Sequence, residues 1–269
     1  MSKDPDGQTW QDDLDLAIAM ADQADQVTTD YFRSPELQVE RKADDTPVTQ
    51  ADREAEAVIR RTLAQARPDD TVYAEELGRQ ESNGRRWIID PIDGTKNYVR
   101  GVPVWATLIG LEVDRQMVVG VVSAPMLGTS WYAAQSQGAY MVHQGEAPRA
   151  IHVSEIDRME DASMSISSLT GWKSIGRRQQ LLDLTDRIWR LRGFGDFWQY
   201  MLLAQGAIDL AAEPELDLYD MGALVPIVTE AGGTFTDLTG SPGPWGGNGL
   251  ASNGLLHKEA LAALGDQKE

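Results

Sequence analysis

Two aspartates separated by Pro-Ile and followed by glycine can hold a divalent cation, and the stretch Trp87-Ile-Ile-Asp-Pro-Ile-Asp-Gly-Thr-Lys-Asn97 carries that pattern. An apolar strand delivers Asp90 at its end, Pro91 and Gly94 force a turn, and Asp93 returns on the same loop. Carboxylates brought so close repel each other unless a cation lies between them. The turn also directs the Ile92 carbonyl outward. Gly94 and Thr95 present backbone N–H groups at the start of a helix, where an anion is favoured. The stretch therefore predicts metal on one side and phosphate on the other. A turn aspartate and a helix cap share this pattern, so two further segments matter. Ala74-Glu75-Glu76 puts carboxylates at another strand end, although a solvated acidic turn reads the same way. Glu213-Pro-Glu-Leu-Asp-Leu-Tyr-Asp220 ends on an aspartate that opens an apolar helix, as an ordinary N-cap also does.

These groups need a scaffold of alternating strands and helices. Leu14, Ala17, Ile18, Ala21 and Ala24 recur at helical spacing between Trp10 and Phe32, and Ser34-Pro35 ends the pattern. A short strand at Leu37 to Arg41 leads to a second helix, opened by Thr49 or Asp52 and running through Leu63. Short apolar runs then predict strands at Thr71 to Ala74, Trp87 to Ile89, Val104 to Val113, Met117 to Ala124 and Thr129 to Ala134, with a hairpin at Asp114-Arg115. Beyond them, strands are expected at Met164 to Ser167, Ile208 to Ala212, Gly233 to Thr236 and Leu250 to Ala251. Helices are expected at Ile175 to Ile188, Phe197 to Gln205, Met221 to Ala231 and Leu255 to Leu264. Pro226 should bend the third of these, because it removes a backbone hydrogen bond.

With 269 residues, 42% of them hydrophobic, the chain has core enough for one large domain or two small ones. We read one unit of two halves: residues 1–150, an α+β half with most of the acidic motif, and residues 151–269, an α/β half with Asp220. The absence of cysteine excludes disulfides, thiolate zinc sites and a cysteine nucleophile. A metal must then be held by oxygen or histidine. His143, His152 and His257 lie at no metal-ligand spacing, so the expected cation is hard, Mg²⁺ or Mn²⁺. A net charge of -18 would repel a phosphate backbone, which argues against nucleic acid as partner. No apolar run reaches the ~18 residues of a membrane span and the opening residues carry no export signal, so a cytoplasmic protein is expected.

The Asp90-Pro-Ile-Asp-Gly-Thr95 stretch, the preceding Glu75-Glu76 pair and the Asp220 segment ending in Glu230-Ala-Gly-Gly233 together resemble the two signatures of the inositol monophosphatase family. Their order and spacing are similar across nearly the whole chain. The resemblance implies a layered α/β/α/β/α sandwich, a homodimer and Mg²⁺-dependent hydrolysis of phosphate monoesters, often inhibited by lithium. It makes Glu75, Asp90 and the Ile92 carbonyl ligands of one Mg²⁺, and Asp90, Asp93 and Asp220 ligands of a second. Thr95, Glu75 and Asp52 would orient and deprotonate the attacking water. Lys42 and Asp44 would fall in a loop over the metals, where Asp44 either touches a third Mg²⁺ or is an exposed loop acid.

Within the family, the finer likeness is to the histidinol-phosphatase branch. It is carried by Gly94 through Leu108, by Arg192-Gly-Phe-Gly-Asp-Phe-Trp-Gln-Tyr200 and by Glu213-Pro-Glu-Leu216. The substrate implied is L-histidinol phosphate, a small ester with an imidazole and an ammonium. The runners-up are inositol monophosphate, a sugar bisphosphate and a 3'-phosphoadenosine nucleotide; a regulatory protein that binds metal without catalysis is the reading from another class. The expected substrate contacts are Gly94, Thr95, Arg192, Asp196, Glu213 and Asp220. Asp196 and Glu213 would meet the cationic groups, and Phe194, Trp198 or Tyr219 would form an aromatic wall. For Trp198 the buried face of a helix is the stronger reading.

Overall fold

The computed structural model describes residues 10–41, 46–82 and 84–265. Lys42 and Asp44, expected above the metals, lie outside the described residues. The N-terminal part begins with α1 (Gln11–Tyr31), whose Leu14, Ala17, Ala21 and Ala24 are buried at the expected helical spacing. A two-stranded antiparallel ribbon of β1 (Val39–Arg41) and β2 (Pro47–Thr49) follows. Thr49 then caps α2 (Gln50–Ala66) in a reciprocal box with Asp52, so both residues named as possible openers share the task.

Seven strands form the first sheet: β3 (Thr71–Ala74), β4 (Arg85–Asp93), β5 (Ala106–Val113), β6 (Gln116–Ala124), β7 (Thr129–Ala134), β8 (Ala139–His143) and β9 (Arg149–Ala150), in that spatial order. The short α3 (Thr95–Val99) lies between β4 and β5. Only β3 and β4 run parallel; the remaining neighbours are antiparallel. The rest of the chain gives β10 (Ser163–Ser165), α4 (Leu169–Ser174), α5 (Arg178–Thr185), β11 (Arg190–Arg192), α6 (Asp196–Ala204), β12 (Leu210–Glu213), α7 (Leu218–Met221), α8 (Leu224–Glu230), β13 (Thr234–Thr236), β14 (Gly249–Ser252) and α9 (His257–Leu264). Its five strands make a second sheet in the order β11, β10, β12, β14, β13.

Both sheets are covered on both faces, which is why their strands read as continuous apolar runs. Ile109 and Leu111 of β5 pack with α1 and α2 through Leu14, Ala17 and Ile59, whereas Leu108, one position away, faces a different layer. That layer holds Phe197, Met201 and Leu203 of α6 and Leu224, Ile227 and Val228 of α8, closed below by Ala211 and Ala251 of the second sheet. Leu210, Ala212 and Leu250 face the other way, onto Trp172, Leu181, Leu184 and Ala260 of α4, α5 and α9. The succession is helix, sheet, helix, sheet, helix, the expected α/β/α/β/α sandwich. No helix among the described residues is long and apolar enough to cross a membrane.

Two expected helices differ from the structure. The one read over 175–188 is the shorter α5, and Gly176 at φ +75° separates it from α4, a helix not expected from the sequence. The one read over 221–231 is α7 and α8, parted at Gly222 and Ala223. Pro226 therefore sits in the first turn of α8, where its missing N–H costs no internal bond, and the expected bend at Pro226 gives way to this break. Strands β2, β8, β9 and β11 were not expected; three of them have three residues or fewer, too short to show a period.

Candidate active site

Parallel pairing of β3 with β4 sets the centre of the site. Ala74 pairs with Ile89, so the next residues, Glu75 and Asp90, emerge side by side at the carboxyl edge of the sheet. There β4 departs from regular pairing with β5: Asp90 sits opposite Leu108, Asp93 opposite Ala106, with a bulge between them. The buried Thr107 hydroxyl donates to the Pro91 carbonyl at 2.9 Å and fixes this bulge. The Ile92 side chain is buried with Ala51, Tyr98 and Trp105, and its carbonyl accepts the Thr95 hydroxyl at 3.0 Å. Gly94 takes φ +83° at the start of α3, a conformation in which a side chain would be strained.

Asp220 reaches the same place from the other half of the chain. Gly110 of β5 pairs with Gly120 of β6 and with Ile88 of β4, making a row with little side chain at its centre. A Cβ on Gly110 would lie 2.7 Å from the backbone of Gly222, one on Gly120 would lie closer still to Ala223, and one on Gly222 would lie 2.7 Å from Ile88. These glycines let the α7–α8 break settle onto the sheet, two residues beyond Asp220. The Asp220 carboxylate itself accepts the Asp217 N–H at 2.6 Å.

Asp90, Asp93 and Asp220 each offer an oxygen, all within 4.8 Å of one another, and no other such triple of metal-type side chains occurs among the described residues. Burial, then Glu75, Asp93 and Asp220, pushes the Asp90 carboxyl well above the usual carboxylate range. Asp93 is raised in the same direction by burial and by Asp196 and Asp220, against the Phe197 N–H that lowers it. Burial carries Asp220 up to about 7, with Glu75 and Asp217 adding to it against the Asp217 N–H. Carboxylates this close and this dry are ionised together only with positive charge among them. The all-oxygen donors suit a hard divalent cation, so the residues present fit Mg²⁺.

Asp52 approaches from the first turn of α2. One of its oxygens accepts the Thr49 N–H and hydroxyl at 2.8 and 2.6 Å; the other is buried and has no partner among the described residues. Burial, with Glu76 and Glu75 adding, lifts it to about 7 against the two Thr49 bonds. Sequence reasoning missed Glu56, one turn further along α2. Its fully buried carboxylate accepts the N–H groups of Glu76 and Leu77 at 2.8 and 3.0 Å and so holds the turn that carries Glu75. Its place at i+4 from Asp52, on the face that also carries Ala55, Ile59 and Leu63, was the available signal.

Further carboxyls line the side toward the second sheet. Asp196, at φ +49°, accepts the Asn97 amide at 3.0 Å and acts on Asp93 by its charge. Glu213 ends β12 with 6% exposure and accepts from the Ser167 hydroxyl and the Gln199 amide. Phe194 and Trp198 meet edge to face at 5.3 Å. Tyr219 does not join them: it donates to Asp217 at 2.7 Å and lies beneath the Arg79 guanidinium, beside Tyr73. Arg192 lies on β11, the edge strand of the second sheet, and its exposed guanidinium bonds the adjacent Leu191 carbonyl at 2.7 Å.

Comparison with known proteins agrees with this geometry. Residues 10–269 match the model of the inositol monophosphatase family. A histidinol-phosphatase of Streptomyces coelicolor is 54% identical over 257 residues, 94% of this chain and 97% of that protein. One of Mycobacterium tuberculosis is 50% identical over 254 residues, 94% and 98% of the two chains. Among solved structures, an inositol monophosphatase from Zymomonas mobilis superposes with a TM-score of 0.82 at 32% identity, covering 95% of this chain and 98% of that one.

Proposed function

The chain belongs to the inositol monophosphatase family, and from that premise we propose that it hydrolyses L-histidinol phosphate to L-histidinol and phosphate with Mg²⁺ as its metal. The observation that carries the substrate is a pair of carboxyls, the partly buried Asp196 and the buried Glu213, whose charges act on the aspartate triple. An anionic recess next to a phosphate site suits an ester with a cationic body. The identity of 54% and 50% to proteins called histidinol-phosphatase supports the same reading. Inositol monophosphate is the alternative, favoured by the 32% identity to the Zymomonas mobilis enzyme.

In this reading Glu75, Asp90 and the Ile92 carbonyl hold one Mg²⁺, and Asp90, Asp93 and Asp220 a second; a third is the upper limit. Mg²⁺ bound there supplies an acidified water and neutralises phosphoryl charge. The Gly94 and Thr95 N–H groups receive phosphate oxygens at the start of α3. The Thr95 hydroxyl, held by Ile92, orients the water. As its oxygen bonds to phosphorus and the ester P–O bond breaks, its proton passes to Glu75 or to Asp52, whose buried oxygen stands without a partner among the described residues, and the leaving histidinol oxygen takes up a proton from solvent. We also propose that it is cytoplasmic and forms a homodimer; sedimentation velocity tests the dimer and cell fractionation the location. For the activity, phosphate release from L-histidinol phosphate is measured with Mg²⁺ and with chelator, on wild type and Asp90→Asn. A fall of at least ~100-fold in the variant is expected; near wild-type turnover refutes the metal assignment.

A further inference from the structure

Glu213 is held on both sides. Its Oε1 accepts the Gln199 side-chain amide and its Oε2 the Ser167 hydroxyl. Gln199 is fully buried on α6, three residues after Asp196, and its own carbonyl oxygen has no partner among the described residues. A buried amide oxygen left unsatisfied is costly, and such a glutamine persists where its other end has a task. Leucine or methionine would fill a fully buried position without that cost.

We propose that Gln199, assisted by Ser167, is a specificity-determining positioning residue: it fixes the Glu213 carboxylate as an acceptor turned toward the cationic body of the substrate. This rests on the reading of the substrate as a phosphate ester bearing an amine. An ionised Glu213 has only acceptor capacity, and with one lone pair of each oxygen engaged by the protein the others remain for an N–H cation, which binds it more strongly than a hydroxyl does. Burial, with the charges of Asp196 and Asp220, pushes Glu213 up to about 8 even with the Ser167 and Gln199 bonds opposing it, so a cation beside it favours the carboxylate form. Loss of either bond frees one Glu213 oxygen to turn away from the entering cation.

The test compares kcat/KM for L-histidinol phosphate with kcat/KM for p-nitrophenyl phosphate, each with Mg²⁺, in wild type, Gln199→Met, Ser167→Ala, Glu213→Gln and the Gln199→Met/Glu213→Gln double variant. The ratio is expected to fall about tenfold in Gln199→Met and in the same direction in Ser167→Ala, whose exposed position leaves the core intact. The double variant is expected to show no lower ratio than Glu213→Gln alone, because Gln199 acts through Glu213. An unchanged ratio in both single variants overturns the proposal, as does an equal loss on the two esters or full additivity in the double variant. Failure of wild type to prefer L-histidinol phosphate refutes the substrate reading itself, a different result from preference that survives Gln199→Met.

Discussion

The Asp93 carboxylate accepts the backbone N–H of Phe197 at 2.7 Å, across 104 positions of sequence. One bond thus docks the start of α6, with Asp196 and Gln199 on it, against the loop that supplies Asp90 and Asp93. The same contact ties the metal-type cluster to Asp196. Asp93→Asn keeps an acceptor for Phe197 and replaces one anionic oxygen. We expect turnover to fall at least ~100-fold with little change in the thermal midpoint. A fold-wide loss of stability instead would make Asp93 a structural residue first.

Glu56 tests the support behind Glu75. In Glu56→Gln an amide N–H must face one of the backbone N–H groups of Glu76 and Leu77 now served by carboxylate. The turn should loosen, weakening Mg²⁺ binding by about tenfold, the scale of lost outer partners. Isothermal titration with Mg²⁺ measures it, and an unchanged affinity would detach Glu56 from the site.

Gly110→Ala tests the close approach that seats Asp220. Its Cβ would stand 2.7 Å from the Gly222 backbone, which cannot swing aside as a side chain can. A loss of about 1–3 kcal/mol in urea unfolding is expected from overpacking, together with weaker Mg²⁺ binding. Unchanged stability would mean that the α7–α8 break yields freely.

Asp25 lies outside the site and gives the fold a pH dependence. Its carboxylate accepts the Ser123 hydroxyl at 2.6 Å, its other oxygen is buried without a partner among the described residues, and burial raises it from 3.8 to about 6, with Asp22 adding and Ser123 opposing. Between those values the folded state holds a proton that the unfolded state has lost, so stability falls as pH rises, and the loss is complete above the folded value. Asp25→Asn removes this titration. Its advantage over wild type should widen by at most about 2 kcal/mol between about pH 4.5 and about pH 8. The same difference at both pH values would show that Asp25 titrates normally.

Much of this was legible because the informative residues are consecutive. The turn from Asp90 to Thr95 declares its geometry through Pro91 and Gly94, and the apolar strands at 71–74 and 129–134 have the expected bounds. What stayed hidden depends on pairs distant in the chain. Glu56 meets Glu76 twenty positions away. Gln199 reads as one more residue of a helix until β12 brings Glu213 to it. Glycines 110 and 120 look like weak points in strands, and only the approach of Gly222 explains them.

The most direct test of the account is the ratio of kcat/KM for L-histidinol phosphate to kcat/KM for myo-inositol 1-phosphate, measured on the wild-type protein with saturating Mg²⁺. In the proposed reading Asp196 and Glu213 meet an ammonium or imidazolium; with each charged hydrogen bond contributing roughly 1.5–3 kcal/mol, a ratio of at least about a hundredfold in favour of L-histidinol phosphate is predicted. A ratio near one, or a preference for the inositol ester, would contradict the account.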